Sequence, residues 1–283
     1  MTTTPQELIE EFSNVQTLPH VVTQLTQLIA DSNTTMKQFE EVIEMDPVLV
    51  ARLLKIVNSP MYGLMQKVDS IGRAVAYLGM KNLNNIAITD ALMGIFMQEN
   101  ESDFFSRNKL WLHCAAVSIC SKMVAERIFG INGDDAYLCG ILHDFGIIVE
   151  EQVRNEQFFT ICRDSNSSTR MLELEQEQLG TDHCELGYIL TGEWSMDESI
   201  RIAIRDHHSL LDNVEPQSLL GILQIAEYLT TQLDFTTLPG IKVEISEPLL
   251  THLEENIDEY RVLLEDFPDE MTKAQALYGG GTS

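Results

Sequence analysis

Histidines on apolar helical stretches are the residues of this sequence best suited to chemistry. Five of the seven histidines fall between residues 106 and 233, namely His113, His143, His183, His207 and His208, and Asp144 follows His143 directly. A single histidine among apolar neighbours is most often a core residue bonded to a backbone carbonyl. Several buried imidazoles beside a carboxylate are costly without partners, and a divalent ion with nitrogen and oxygen ligands would satisfy them together.

The helices that must position these histidines are predicted from apolar periodicity. Apolar residues recur at helical spacing along most of the chain, whereas alternating runs typical of strands are scarce. We therefore predict an all-α fold, with one short strand candidate over 242–245. His113 shares a stripe with Leu110 and Val117 that should face inward. The helices predicted in this block cover residues 110–129, 135–143, 156–164, 171–180, 182–193, 196–208 and 217–233.

Local signals also divide the chain outside this block. Asp46 can cap a helix that starts with Pro47, and Asn58-Ser59-Pro60 should end that helix near residue 57. Further helices are predicted over 71–78, 82–97 and 247–264, the polar run 98–107 suggests a boundary, and the glycine-rich tail 279–283 is predicted to be disordered. We expect an N-terminal helical part (1–105), a helical metal-site part (106–233), and an acidic C-terminal helix with a flexible tail (234–283).

Charge and cysteine pattern exclude several classes of function. The chain has 44 acidic and 18 basic residues and a formal net charge of −26. We predict no DNA binding, because affinity for phosphate backbones comes mostly from clustered Lys and Arg. Neither a secretory leader nor an apolar run long enough for a membrane span is found, so a cytoplasmic protein without membrane contact is expected. The five cysteines form no CxxC pair and are predicted to be reduced and buried.

Two groups of motifs carry a family resemblance. Leu142-His143-Asp144-Phe145-Gly146, with His113 thirty residues upstream, resembles the HD superfamily of metal-dependent phosphohydrolases. His183 and the later pair His207-His208 resemble the additional ligands of the HD-GYP branch and of its relative, the HDOD family.

The N-terminal block resembles an HDOD domain, the HD-related output domain of bacterial signalling proteins. The resemblance covers about residues 15–232 and is most specific between Asp46 and Gly79. The segments that carry it are Leu18-Pro19-His20-Val21-Val22, Asp46-Pro47, Arg52-Leu53-Leu54, Asn58-Ser59-Pro60-Met61-Tyr62-Gly63, Ser70-Ile71 and Ala74-Val75-Ala76-Tyr77-Leu78-Gly79.

This resemblance implies a multi-helix HD-superfamily bundle with an N-terminal helical subdomain, and a regulatory role in signal transduction through protein–protein contacts. It also implies one or two divalent ions, of Fe, Mn, Zn or Ni. In an active member, Asp144 and Arg205 would be catalytic, and Arg201 or Arg205 would bind phosphate oxygens. Both arginines are equally explained as part of a solvated helix face. The implied metal ligands are His113, His143, Asp144, His183, His207, His208 and Glu227.

Three departures from the catalytic pattern favour the regulatory function. Glu227 stands where the family has Asp, Ile147 replaces a lysine of the active HD-GYP enzymes, and no Gly-Tyr-Pro motif follows His208. The alternative is a metal-dependent phosphohydrolase that acts on a phosphoester or a cyclic dinucleotide. A module that binds such a dinucleotide without hydrolysis is a third possibility. Signalling proteins are the expected partners and a homodimer is left open, while His20 and His252 are expected to be ordinary surface or turn residues.

Overall fold

The computed structural model describes residues 4–15, 19–96, 102 and 104–278, and these residues form an all-helical protein, as predicted. The first six helices are α1 (Pro5–Val15), α2 (His20–Ala30), α3 (Met36–Glu44), α4 (Pro47–Val57), α5 (Ile71–Leu78) and α6 (Met80–Phe96). Then come α7 (Arg107–Met123), which continues into a π-helical turn (Val124–Ile128), α8 (Asp134–Leu142), α9 (Phe145–Val153), α10 (Asn155–Asp164) and α11 (Ser168–Leu179). The last helices are α12 (His183–Glu193), α13 (Glu198–Asp206), α14 (Leu219–Gln232), α15 (Glu247–Glu255) and α16 (Ile257–Tyr278).

Helix α4 begins and ends where its sequence signals predict. The Asp46 carboxylate accepts hydrogen bonds from the backbone N–H groups of Val48 (2.9 Å) and Leu49 (3.0 Å). These two donors have no partner inside the helix, so the cap stabilises its first turn. The helix ends at Val57, where the Asn58 side chain donates to the Leu54 carbonyl at 2.7 Å.

The helices around the histidines approach one another closely at two glycines. A Cβ on Gly140 of α8 would lie 2.4 Å from the Ser118 Cα of α7, and one on Gly146 of α9 would lie 2.0 Å from the His183 carbonyl oxygen of α12. Only glycine permits these separations. As a result, the turn that joins α8 to α9, which carries His143 and Asp144, lies directly against α7 and α12.

Several predicted elements differ from those observed. Helix α9 was not predicted, because its residues from Phe145 to Glu151 are all buried and therefore lack an amphipathic pattern. The predicted strand over 242–245 is wrong for the described chain, where Lys242 forms only an isolated bridge with Ser167. The predicted helix over 247–264 is two helices, α15 and α16. The tail 279–283 and half of the polar run 98–107 lie outside the described residues.

One hydrophobic core runs through all the helical groups. Helices α2–α6 pack together, α7 packs against α8, α14 and α16, and α1 packs against α9 and α12. The three-part division of the chain stays a prediction. No helix among the described residues has the length and apolarity needed to span a bilayer. All five cysteines are buried and form no disulfide.

Candidate metal centre

Six structural elements converge on the predicted ligands. His113 lies in the middle of α7, His143 and Asp144 form the turn between α8 and α9, and His183 is the first residue of α12. His207 and His208 follow directly on α13, and Glu227 faces them from α14. Except for His208, which retains some exposure, all of these side chains are buried. The structure thus brings together all seven predicted metal ligands; their role as ligands stays a prediction.

Asp144 lies between two groups of imidazoles. Its Oδ2 atom is 3.5 Å from the Nε2 atoms of both His113 and His143. Its Oδ1 atom faces the other way and is 3.6 Å from His183 Nε2 and 3.5 Å from His207 Nε2. Each carboxylate oxygen therefore faces one group of imidazoles, so Asp144 could contribute a ligand to an ion held by either group.

The outer nitrogen of each of these imidazoles has an acceptor. The Nδ1 atoms of His113, His143 and His207 lie 2.8, 2.8 and 2.6 Å from the backbone carbonyls of Phe235, Gly140 and Ile204. His183 Nδ1 lies 2.8 and 2.9 Å from the two oxygens of Glu175. Since a neutral imidazole carries one proton, donation from Nδ1 leaves the Nε2 lone pair facing the centre.

The positions of these inward nitrogens are better explained by a shared divalent cation than by a direct contact between them. The Nε2 atoms of His113 and His143 are 3.1 Å apart. With both Nδ1 atoms protonated, two lone pairs would face each other across this gap. Two nitrogens at about 2.1 Å from one ion and about 90–110° apart would be about 3.0–3.4 Å from each other. The observed spacing suits a shared ion.

The second group shows unsatisfied ligand atoms. His183 Nε2, His207 Nε2, His208 Nδ1 and Glu227 Oε2 are buried and have no hydrogen-bond partner among the described residues. Buried polar atoms normally find partners, and orphaned ones are expensive. Nitrogen and carboxylate donors together suit a borderline metal such as Fe, Mn, Zn or Ni. The residues present therefore fit the metal that the sequence predicts.

The pKa values of the cluster reflect two opposing effects. Burial favours the neutral form of each group, whereas opposite charges on neighbouring groups favour the ionised form. Burial favours the neutral form of Asp144, but the positive charge of His143 and the close approach of His207 hold its pKa well below the usual range. Burial lowers the pKa of His143 to about 3. Burial also acts to lower the pKa of His207, but the nearby carboxylates of Asp144 and Glu227 raise it to about 9. The cluster thus carries an ionised carboxylate among imidazoles.

Glu227 lies in the cluster, although its side chain is one methylene longer than that of the Asp found at this position in the family. It is buried, its Oε1 atom is 3.8 Å from His208 Nδ1, and it could share an ion with His143 and His207. Burial raises the pKa of Glu227 to about 8, while the charge of His207 acts in the opposite direction. The longer side chain therefore still reaches the position of a ligand.

Arg205 lies outside the cluster. Its guanidinium is 40% exposed, pairs with Asp206 at 2.7 Å and lies over the ring of Tyr188. It lines a surface depression of about 360 Å³, which the ring of His208 also borders. Its predicted role in phosphate binding stays a prediction. His20 is exposed, as predicted, whereas the expectation for His252 is only partly met, because it is half-buried and stacks on Phe129.

Two contacts that orient the cluster were not predicted from the sequence. The buried carboxylate of Glu175 on α11 accepts from both the backbone N–H and Nδ1 of His183. The Thr237 hydroxyl donates to Asp144 Oδ2 at 2.7 Å. Glu175 stands eight residues before His183 in an exposed-looking run of charges, and Thr237 lies 93 residues after Asp144. Neither spacing indicates contact.

Residues 235–244, here called the cover segment, lie across the metal centre. Phe235 and Thr237 bond to His113 and Asp144, as described above, and the Lys242 carbonyl accepts from the Ser168 N–H at 2.9 Å. Glu244 also accepts a hydrogen bond from the Thr169 hydroxyl. Beneath this segment the cavity at the histidines measures only about 10 Å³. That space is about one water-sized sphere.

Comparison with known proteins assigns the fold to a family. A model of the HDOD domain family matches residues 15–210. The chain belongs to the HDOD family. The match covers both the N-terminal helices and the histidine-bearing helices as far as His208, and confirms the resemblance predicted from the sequence. The cover segment and Glu227 lie beyond the matched residues of the HDOD domain.

A known relative of this HDOD chain matches it at low sequence identity. A protein from Treponema pallidum, named only as an uncharacterized protein, is 24% identical over 211 residues; the match covers 72% of this chain and 39% of that protein. The HDOD chain thus spans well under half of that relative's length.

Solved structures show the same fold. A candidate phosphohydrolase from Shewanella amazonensis has a TM-score of 0.68 and 24% identity, with 95% of this chain and 97% of that chain covered. An HDOD domain protein of unknown function from Geobacter sulfurreducens has a TM-score of 0.66 and 23% identity, with 92% and 97% covered. A candidate signal transduction protein from Marinobacter aquaeolei has a TM-score of 0.72 and 21% identity, with 93% and 60% covered.

Proposed function

We propose that this protein is a regulatory HDOD module that acts in signal transduction through protein–protein contacts and holds a divalent metal centre inside its helical bundle. The observation that carries the proposal is the closure of that centre. The ligands are buried, and the cover segment leaves about 10 Å³ at the histidines. A single ion fits such a space, whereas a phosphoester does not. In this role the metal stabilises one arrangement of the helices and does not turn over a substrate.

Exposed apolar side chains on the N-terminal helices support partner binding. Met45, Val48 and Tyr77 are more than half exposed, and Met65 is fully exposed. Methionine side chains are flexible and polarizable, and they are common on surfaces that accept several partners. A signalling protein with an apolar, basic surface would complement this part of a chain whose formal net charge is −26.

The proposal is tested by metal analysis combined with a phosphodiesterase assay. The purified protein should contain stoichiometric Fe, Mn, Zn or Ni and should hydrolyse neither a generic phosphodiester nor a cyclic dinucleotide when Mn²⁺ is added. The double variant His143→Ala/Asp144→Ala should lose the metal. Turnover by the wild type that is absent from the double variant would overturn the regulatory assignment.

A second candidate function is metal-dependent phosphohydrolysis, and the placement of Asp144 favours it. A carboxylate with one oxygen directed to each group of imidazoles could contribute a ligand on both sides, and ions held there would supply an activated water and neutralise phosphate charge. Here Asp144 would hold the two groups together, and the Nδ1 acceptors would keep the imidazoles oriented. His208 and Arg205, which border the same surface depression, would receive the substrate.

The two candidate functions predict different effects when the cover segment is weakened. If the site is an enzyme, weakening the cover with Thr237→Val should admit substrate and raise turnover of the phosphodiester. Thr236→Val is the matched control, because the neighbouring Thr236 has no hydrogen bond to the cluster in the described chain. If the protein is regulatory, neither variant has measurable turnover, and Thr237→Val only speeds the loss of metal to a chelator.

A further inference from the structure

The loop that follows α4 is the part of the family motif that the metal centre does not use. Asn58 holds this loop at both ends, because its Nδ2 donates to the carbonyls of Leu54 and Val68 and its Oδ1 accepts from the Val68 N–H, each at 2.7 Å. Three hydrogen bonds from one half-buried side chain fix the path of the intervening residues. The loop therefore presents Met61 and Tyr62 in a defined position.

Met61 and Tyr62 line a cavity far larger than the space at the histidines. The cavity measures about 320 Å³ and lies where the loop, α6, α7, α8 and α16 meet. This volume is at the lower end of the range for small-molecule sites, which occur preferentially where structural units meet. None of its lining residues also lines the space at the metal centre. It is therefore a separate site.

The charged groups at this cavity are already paired with one another. Among the described residues, the two cations that line the cavity each face two carboxylates, so the local charge is negative and neither cation is left to bind a phosphate. The ion pairs are Lys122 with Glu126 (2.8 Å) and Asp134 (2.9 Å), and Arg127 with Asp266 (2.8 Å) and Glu270 (3.7 Å). An anionic ligand would meet net repulsion here.

Neutral polar groups at the cavity, in contrast, are uncommitted. Within the described chain, the hydroxyls of Tyr62 and Tyr137 and the side-chain amide of Asn82 make no hydrogen bond to protein groups. Burial raises the pKa of Tyr62 well above its usual value, so its phenol keeps its proton and can both donate and accept. The apolar parts of the wall come from Met61, Ile119 and Met123. Aromatic rings and thioethers of this kind pack well against flat heterocycles.

The backbone is irregular at the same place. Helix α7 ends in the π-helical turn Val124–Ile128, which carries Glu126 and Arg127 to the cavity. Single π-helical turns inside α-helices are rare and are frequently found at functional sites. This irregularity of the backbone is an observation separate from the side chains that line the cavity, and it indicates the same site.

We propose that this cavity binds an uncharged, flat nitrogen heterocycle of nucleoside size. The phenols of Tyr62 and Tyr137 and the Asn82 amide hydrogen-bond the heterocycle, and the methionines pack on its faces. Because the site joins the N-terminal helices to α7, α8 and α16, an occupant strengthens the contact between these groups. The site is independent of the metal centre, so it binds its ligand whether or not the histidines hold an ion.

The probes are adenosine and guanosine, with AMP as the charged counterpart of adenosine. Binding to the full chain is measured by calorimetry and by the shift in melting temperature. The ligand is used at roughly 1 mM, so that a site with a dissociation constant as weak as about 1 mM is also detected. At least one nucleoside should bind and raise the melting temperature, with and without metal, and AMP should bind about tenfold more weakly than adenosine. Asn82→Ala/Tyr137→Phe should lose about tenfold in affinity, as expected for lost hydrogen bonds.

Controls keep the result decisive. Tyr77→Phe changes an exposed tyrosine outside the cavity and should bind as the wild type does. Tyr62→Phe, which removes a single hydroxyl, replaces the double variant if that variant does not fold by circular dichroism. The proposal is overturned if neither nucleoside binds, if AMP binds as well as adenosine, or if the folded cavity variants bind with unchanged affinity. The outcome does not depend on catalysis or metal content, so it is separate from the test of the proposed function.

Discussion

At the scale of single residues, the metal centre depends on how each imidazole is held. Asp144 lies within 3.6 Å of four inward Nε2 atoms, and each of these imidazoles has an acceptor at Nδ1. Three of the four acceptors are backbone carbonyls, which substitution cannot remove. The acceptor of His183 is a side chain, the buried carboxylate of Glu175. Glu175 is therefore the orienting contact that mutation can test.

We expect Glu175→Gln to weaken metal binding roughly 10–100-fold, the usual effect of removing a carboxylate behind a ligating histidine. The amide is nearly isosteric, but it is a weaker acceptor and its own N–H₂ cannot receive the His183 proton. Metal affinity is measured by competition with a chelator. Glu177→Gln, on an exposed position of the same helix, is the matched control. Equal affinities in the two variants would show that Glu175 does not position His183.

At the scale of elements, the turn between α8 and α9 is placed by tight helix contacts. Gly146, in the first turn of α9, lies against the backbone of His183 at the start of α12, and Gly140 lets α8 approach α7. In a densely packed interior there is no free space into which a neighbouring backbone could move. These contacts set the distance between the two histidine groups. The same close packing of helices therefore determines both the fold and the geometry of the metal centre.

We expect Gly146→Ala to destabilise the protein by at least about 1–3 kcal/mol, the cost of overpacking, because the new Cβ would overlap the His183 carbonyl. Gly94→Ala provides the comparison. A Cβ at Gly94, on an exposed face of α6, would meet no atom of the described residues within 4 Å, so this change should stabilise by roughly 0.4–1 kcal/mol. Urea denaturation measures both. Gly146→Ala with unchanged stability would contradict the close approach of α9 and α12.

At the scale of the whole molecule, a strongly acidic surface encloses a site for a cation. The formal net charge of −26 gives a field that repels polyanions and attracts cations, although salt screens it beyond about 8 Å at physiological ionic strength. The candidate ligands come from α7, the turn between α8 and α9, α12, the end of α13 and α14, so an ion at the centre would connect these elements. Metal binding should therefore stabilise the fold as a whole.

Added metal at about 100 times its dissociation constant should stabilise the protein by about 2.7 kcal/mol, or ~5–10 °C in melting temperature for a chain of this size. Calorimetry of the metal-free and metal-loaded protein tests this. The His143→Ala/Asp144→Ala variant, which lacks the central ligands, should show no such shift. A melting temperature that does not respond to Fe, Mn, Zn or Ni would argue against a metal centre.

Local patterns in the sequence were sufficient to predict the helical fold, the family and most of the candidate site. The cap at Asp46, the stop after Val57 and the helical spacing around His113 act over one or two turns, so they can be predicted without knowledge of the tertiary structure. The motif around His143 and Asp144, with His113 upstream and three histidines downstream, carried the family resemblance. That resemblance implied all seven candidate ligands, including Glu227.

Only the tertiary structure revealed how the site is completed and closed. Helix α9 was missed because a segment buried on all sides has no polar face, and Glu175 was missed because its partner lies on another helix. The contact of Thr237 with Asp144 joins residues 93 apart, and the cavity at Tyr62 and Tyr137 is formed by five elements. Such contacts depend on the packing of distant segments, which no local pattern specifies.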